Sequence, residues 1–227
     1  MKTIVFLLLL SVATSIFAQD TKTSDRIDDA ATVIDEIMAT RDKGIPEEVF
    51  GSATCVAVVP SLLKGGFIVG ARYGKGVASC RTATGWSAPA FFTVTGGSVG
   101  FQIGGQAVDL VMLIMNKHGM RNLLSSKFQL GADASVAAGP VGRHAEAGTD
   151  WKMRAEVLTY SRARGLFAGV TLNGARIAQD LDSTREFYGK AVPFSMALTG
   201  KIVSPADAKP FTDALDKWAV QVGPLKK

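Results

Sequence analysis

The chain is poor in the residues that catalysis and metal binding usually require. It has only two histidines and two cysteines in 227 residues. His118 and His144 are distant from Cys55 and Cys80, without zinc-ligand spacing, so no metal site is expected. No Walker loop or dinucleotide fingerprint occurs. Gly74-Lys75-Gly76 lacks a further glycine at the right offset, so no nucleotide cofactor is expected. Charge of one sign is also lacking: 25 basic against 20 acidic residues leaves +5, which permits an anionic partner without calling for nucleic acid. Low-complexity tracts, linkers and internal repeats are missing. Aromatic residues make up only 8% of the chain, while glycine reaches 24 residues.

The one long apolar run is at the start. Lys2 precedes the unbroken stretch Ile4–Leu10, and Ile16-Phe17-Ala18 ends in a small residue. This is the pattern of a cleavable signal peptide over residues 1–18, too short to span a bilayer. No cysteine near Ala18 offers a lipid attachment point. The expectation is a periplasmic or secreted protein, with a single domain over residues 19–227. A chain of roughly 210 residues suits one core burying about 70% of the unfolded surface. In an oxidising compartment Cys55 and Cys80 are free to form a disulfide if their strands are neighbours. Two buried thiols packing as small hydrophobes is the other reading.

Residues Thr23–Lys43 read as a helix capped by Ser24, with Ile27, Ala31, Ile34 and Met38 on one face. Pro46 opens a short second helix through Phe50. Short apolar runs punctuated by glycine then read as strands: Cys55–Val59, Gly66–Gly70 and Gly76–Cys80, the last two as a hairpin turning at Tyr73-Gly74-Lys75. Phe91–Thr95, Ser98–Ile103, Ala107–Met115, Phe128–Ala138, Arg154–Ser161 and Leu166–Leu172 follow as strands. Asn116–Ser125 and Arg176–Tyr188 read as helices. Pro210 opens a last one with Phe211, Leu215, Trp218 and Val222 on its face. The expected fold is α+β: one domain with an antiparallel barrel-like or sandwiched sheet and helices at both ends.

One enzymatic pattern is present. Gly96-Gly97-Ser98-Val99-Gly100 fits G-x-S-x-G, and Asp109 or Asp133 with His144 completes a Ser…Asp…His order. The residues that follow Gly100 are a poor helix start, so a glycine-rich strand corner is the competing reading and no enzymatic activity is expected. The basic residues are more informative. Lys64, Arg72, Lys75 and Arg81 lie near predicted strand ends, and Arg143, Arg162 and Arg164 recur later. Converging strand ends offer donors to a phosphate, and the indole of Trp86 suits a membrane interface.

The segment Lys64–Val77, with Gly85–Phe91, Gly97–Gln106, Ala138–Arg143, Tyr160–Val170 and Phe187-Tyr188-Gly189, resembles the SYLF domain, also called the actin-binding-domain-like family after a yeast member. These blocks occur in the family's order over about Asp25–Leu198. With the leader, they point to a secreted-type bacterial member. The resemblance implies a non-enzymatic domain that binds lipid, phosphoinositides in eukaryotic members, and actin in fungal ones. Actin is not an expected partner outside the cytoplasm. The basic amphipathic N-terminal helix credited to lipid-binding eukaryotic members is not matched. Here it carries Asp25, Asp28, Asp29, Asp35, Glu36 and Asp42 against Arg26, Arg41 and Lys43. The expectation is therefore a lipid or amphiphile binder whose contact is Lys64, Arg72, Lys75, Arg81, Trp86, Arg143, Arg162 and Arg164. A scaffolding module of the cell envelope is the second reading, and a hydrolase using Ser98 the remote third.

Overall fold

Residues 22–40, 44–66, 69–99, 104–125, 127–142, 155–163, 166–169 and 172–219 are described by the computed structural model of the chain. The leader read at 1–18, Arg143, His144 and Arg164 lie outside them. Glycine-spaced apolar runs become long strands because their alternate residues are apolar on both faces, as a sheet covered on two sides requires. The order along the chain is α1 (Thr23–Ala39), α2 (Glu47–Ser52), β1 (Cys55–Gly66), β2 (Val69–Thr82), β3 (Gly85–Trp86), β4 (Ala90–Val99), β5 (Gly104–Ile114) and α3 (Lys117–Leu124). Then come β6 (Lys127–Gln129), β7 (Val136–Ala138), β8 (Val157–Ala163), β9 (Leu166–Gly169) and β10 (Arg176–Gln179). The last elements are α4 (Leu181–Tyr188), α5 (Phe194–Ala197), a 3-10 turn at Ala206–Ala208 and α6 (Lys209–Ala219).

The strands form one strongly curled sheet in the order β6-β10-β4-β2-β1-β5-β8-β7, with β3 on β2 and β9 on β8. All neighbours are antiparallel except β7 and β8. The expected α+β class with terminal helices is what is found. Alternation divides the core. Cys55, Ala57, Val59, Leu62, Phe92, Val94, Leu110 and Met112 fill the inner face with Leu123, Phe128, Phe194 and Leu198. Val56, Val58, Val77, Phe91, Leu113 and Tyr160 pack on the outer face against α1, α2 and α6 through Ile27, Ile34, Ile37, Phe50, Phe211 and Leu215.

Several local expectations are corrected. β2 does not turn at Tyr73-Gly74-Lys75; it runs straight through. Its glycines serve packing instead: a Cβ on Gly74 would lie 2.6 Å from Val59 Cγ1, and one on Gly76 would lie 2.4 Å from the Phe92 ring. The predicted strand at 91–95 and the first two residues of the next, Ser98 and Val99, lie in one strand, β4; residues 100–103 lie outside the described residues. Residues 176–188 are not one helix. Arg176–Gln179 is a strand paired with β4, and Asp180 then starts α4 by accepting the Ser183 amide. Phe128–Ala138 is split by a turn at Gly131, whose φ of 86° suits glycine. Ser24 is not the α1 cap; Lys22 holds that position without a side-chain cap bond.

Motif blocks that read as a functional signature hold the layers together. Ser87 Oγ accepts the Cys80 amide, and the Ser79 hydroxyl donates to Ser87 O. The Tyr188 hydroxyl donates to Pro89 O at 2.6 Å, and Gly189 ends α4 with a positive φ. Gly139 packs directly on the Tyr160 ring, where a Cβ would lie 2.0 Å from Cζ. Cys55 and Cys80 are register partners on β1 and β2 and are joined as a disulfide in the inner core. For a loop of 25 residues, chain entropy puts the bond's contribution at about 3 kcal/mol. The double variant Cys55→Ala/Cys80→Ala is expected to lose about that in denaturant unfolding. The wild type should show no thiol to an alkylating reagent until it is unfolded and reduced.

Candidate functional site

Of the eight residues expected to form one rim, the six that are described, Lys64, Arg72, Lys75, Arg81, Trp86 and Arg162, do not all meet. β2 carries Arg72 near one end and Arg81 near the other, and nine residues of strand span about 30 Å. At the Arg81 end the cation is occupied. Its Nε donates to Ala53 O at 2.9 Å, its guanidinium lies 4.6 Å over the Trp86 ring, and Trp86 packs on the helical core. Burial pushes the Arg81 pKa down, and Asp216 partly opposes this. Arg162 on β8 is tied to Asp109, its Nε donating to Oδ2 at 2.6 Å, and also contacts Glu36. Lys75 sits on β2 opposite Thr93. Arg81, Trp86 and Arg162 therefore knit the layers, and the pattern of basic residues alone does not separate them from a ligand site.

At the other end the arrangement differs. β1 is interrupted at Pro60-Ser61, where the register against both β2 and β5 shifts. Ser61 has a φ of 60°, and its amide donates to Asp109 Oδ1 at 3.1 Å. Such a bulge reverses the alternation beyond it. Leu62 consequently fills the inner core at 0% exposure, while Leu63 turns outward at 42% beside its partner Tyr73 at 43%. Leu63, Gly65, Ala71, Tyr73 and Ala107, together with Lys64, Arg72 and Gln106, line a shallow, largely apolar depression of about 480 Å³, and none of them belongs to the helix-packed cluster.

On the alternate positions of the same strands, Lys64 and Arg72 are direct register partners. Arg72 also faces Gly96, which has no side chain, and its stem lies across that gap: a Cβ on Gly96 would meet Arg72 Cγ and Cδ at 3.4 Å. Its Nη2 donates to Gly97 O at 3.1 Å. Among the described residues no carboxylate pairs with either cation. Burial pushes the Lys64 pKa down and the neighbouring Arg72 charge pushes the same way; burial also lowers Arg72. Two partly desolvated positive charges thus share one place without a counter-charge from the described residues. An arriving anion relieves the electrostatic cost of both.

Ser98 lies inside β4 opposite Gly70, so Gly96–Val99 of the G-x-S-x-G stretch are sheet residues, while Gly100 lies outside the described residues. The acids proposed to support it are used elsewhere. Asp109 holds Arg162 and Ser61, and Asp133 accepts the Gln129 amide. His118 is on α3 against Glu156. Among the described residues, no cluster of three His, Cys, Asp or Glu is placed to hold a metal ion, and no helix is long and apolar enough to cross a membrane.

Together these features describe a curled-sheet α+β domain whose glycine motifs pack strands and whose rim carries a cation pair with no carboxylate partner among the described residues. The profile of the family described as "Ysc84: Las17-binding protein actin regulator" matches residues 95–218. The chain belongs to this Ysc84, or SYLF, family. It is 36% identical over 180 residues to SH3 domain-containing YSC84-like protein 1 of Xenopus laevis, covering 78% of this chain and 53% of that protein. The human protein of the same name is 35% identical over 179 residues, covering 78% and 52%. LAS seventeen-binding protein 3 of Saccharomyces cerevisiae is 33% identical over 187 residues, covering 81% and 40%. The chain thus spans about half the length of the vertebrate relatives it matches. The names of these relatives describe domains and binding, not a reaction.

Proposed function

We propose that this chain is a non-catalytic, extracytoplasmic module that binds anionic phospholipid or a related amphiphile peripherally. The observation that carries the reading is the cross-strand pair Lys64–Arg72, two cations without a carboxylate partner among the described residues, beside exposed apolar side chains. A phosphate headgroup meets the cations as a charge-assisted acceptor, and the apolar rim meets the region below it. Placement outside the cytoplasm rests on the leader pattern of residues 1–18.

Co-sedimentation of the purified protein with phosphatidylcholine vesicles, with and without about one-third phosphatidylglycerol, tests this. Binding is expected only to the anionic vesicles and is expected to weaken as salt rises. Absence of binding to both removes the lipid reading. A second reading, a protein-interaction module, draws on the yeast relative's name, which states that it binds LAS seventeen. A stoichiometric protein recovered from envelope extract, together with no vesicle binding, would favour it.

A further inference from the structure

Resting on the lipid reading, we infer that the rim of the β1–β2 hairpin enters an anionic bilayer edge-on: Leu63 and Tyr73 enter from one face of the sheet, Lys64 and Arg72 meet phosphates from the other, and α1 stays out. Three observations fix this orientation. First, the bulge at Pro60-Ser61 inverts which face each later residue of β1 takes and so turns Leu63 outward, and ordinary alternation then sets Lys64 on the other face, so the apolar pair and the cationic pair sit at the same distance along the strands. A wall that is apolar on one side and cationic on the other has no single face to lay flat on a membrane. Its end, by contrast, presents both characters at once.

Second, the apolar side chains there are uncovered by the helices. Leu63 and Tyr73 are each more than two-fifths exposed, and Ala71 and Ala107 beside them are also exposed. A tyrosine ring is suited to the headgroup boundary, apolar in its body and wet at its hydroxyl. Third, acids mark how far the rim can enter. Asp25, Asp28, Asp29 and Glu36 of α1 are exposed, and Asp109, next along the outer face at the bulge, is held by Arg162 and Ser61. An anionic surface repels α1, so contact stops at about the level of Ser61. Beyond it β1 continues through Leu62–Gly66, about 16 Å of strand, enough to reach the interface. This places the membrane contact on strands and leaves the N-terminal helix facing water.

A single added cysteine reports the orientation, because the two native cysteines are joined to each other. An environment-sensitive dye such as NBD is attached to Ala71→Cys at the rim and, separately, to Asp28→Cys on α1. The full chain is then mixed with the phosphatidylglycerol-containing vesicles. The rim label is expected to shift to the blue and gain fluorescence several-fold, and quencher lipids should reach it at interfacial depth. The α1 label should keep its aqueous emission. The double variant Leu63→Ser/Tyr73→Ser, which changes only exposed positions, is expected to bind these vesicles about tenfold more weakly with an unchanged melting profile. Co-sedimentation with a rim label that stays aqueous overturns the orientation and leaves the lipid reading standing. A response at Asp28→Cys overturns it too. A rim label that responds to an envelope protein and not to vesicles assigns this surface to a protein partner. No vesicle binding by the wild type removes both readings.

Discussion

The double variant Lys64→Glu/Arg72→Glu is expected to lose vesicle binding almost entirely. Each basic residue close to an anionic surface contributes about 1 kcal/mol, so removing two positive charges and adding two negative ones changes binding by about 4 kcal/mol, roughly a thousandfold in affinity. Reversal should be tolerated by the fold, because neither cation holds a carboxylate among the described residues and each is only partly buried. The like charges that now crowd each other become like charges of the opposite sign. Co-sedimentation at low and high salt measures the loss, with a thermal melt to show that the domain is intact. Arg81→Gln at the opposite end of β2 is the control. It should leave vesicle affinity unchanged and lower stability, since Arg81 serves Ala53 and Trp86. Anionic-vesicle affinity that survives the double reversal would move the site away from Lys64 and Arg72.

The second large effect concerns stability. Arg26 on α1 is buried beneath the sheet's outer layer. Its Nη1 donates to Ser183 Oγ at 3.0 Å and lies 3.7 Å from Asp180 Oδ2, with the guanidinium 5.7 Å over the Phe91 ring. Asp180 is buried as well, and it also accepts the Ser183 amide at the start of α4. Asp180→Ala breaks a buried ion pair and removes the acceptor that starts α4, so denaturant unfolding should show a loss of about 3–5 kcal/mol. Asp180→Asn retains an acceptor for the α4 cap and should recover the capping part, about 1 kcal/mol. Arg26→Met with Asp180→Ala removes both charges and is expected to be less damaging than Asp180→Ala alone. A double variant as unstable as the sum of the two single changes would show that the pair does not interact.

The different fates of the basic residues show what could be read in advance. Lys64, Arg72, Arg81 and Arg162 look alike in the sequence, each a cation near the end of an apolar run. Their partners lie far away in the chain. Ala53 and Trp86 take up Arg81, and Asp109 with Glu36 takes up Arg162. Gly96 had a legible trace, a paired glycine inside an apolar run, but its role as the space for the Arg72 stem depends on register. The same is true of Gly74 and Gly76. In sequence they resemble a turn, and in the sheet they make room for Val59, Leu62 and Phe92. Arg176–Gln179 was misread because four residues are too few to establish a period, and pairing with Thr95–Phe92 decided for strand.

Local chemistry was sufficient for the existence of α1, α3 and α6, for the strand-rich middle and for the α+β class. Apolar spacing and glycine punctuation act over a few residues and need no distant partner. The inward or outward choice at the rim was settled only in three dimensions. Strict alternation from Cys55, Ala57 and Val59 would have turned Leu63 into the core and set Lys64 on the helix-covered face. The bulge at Ser61, whose amide donates a hydrogen bond to Asp109 on the next strand, reverses that order. A side-chain period of two fixes neighbours relative to each other, but one inserted residue inverts everything beyond it, and where that residue is absorbed depends on the adjoining strands.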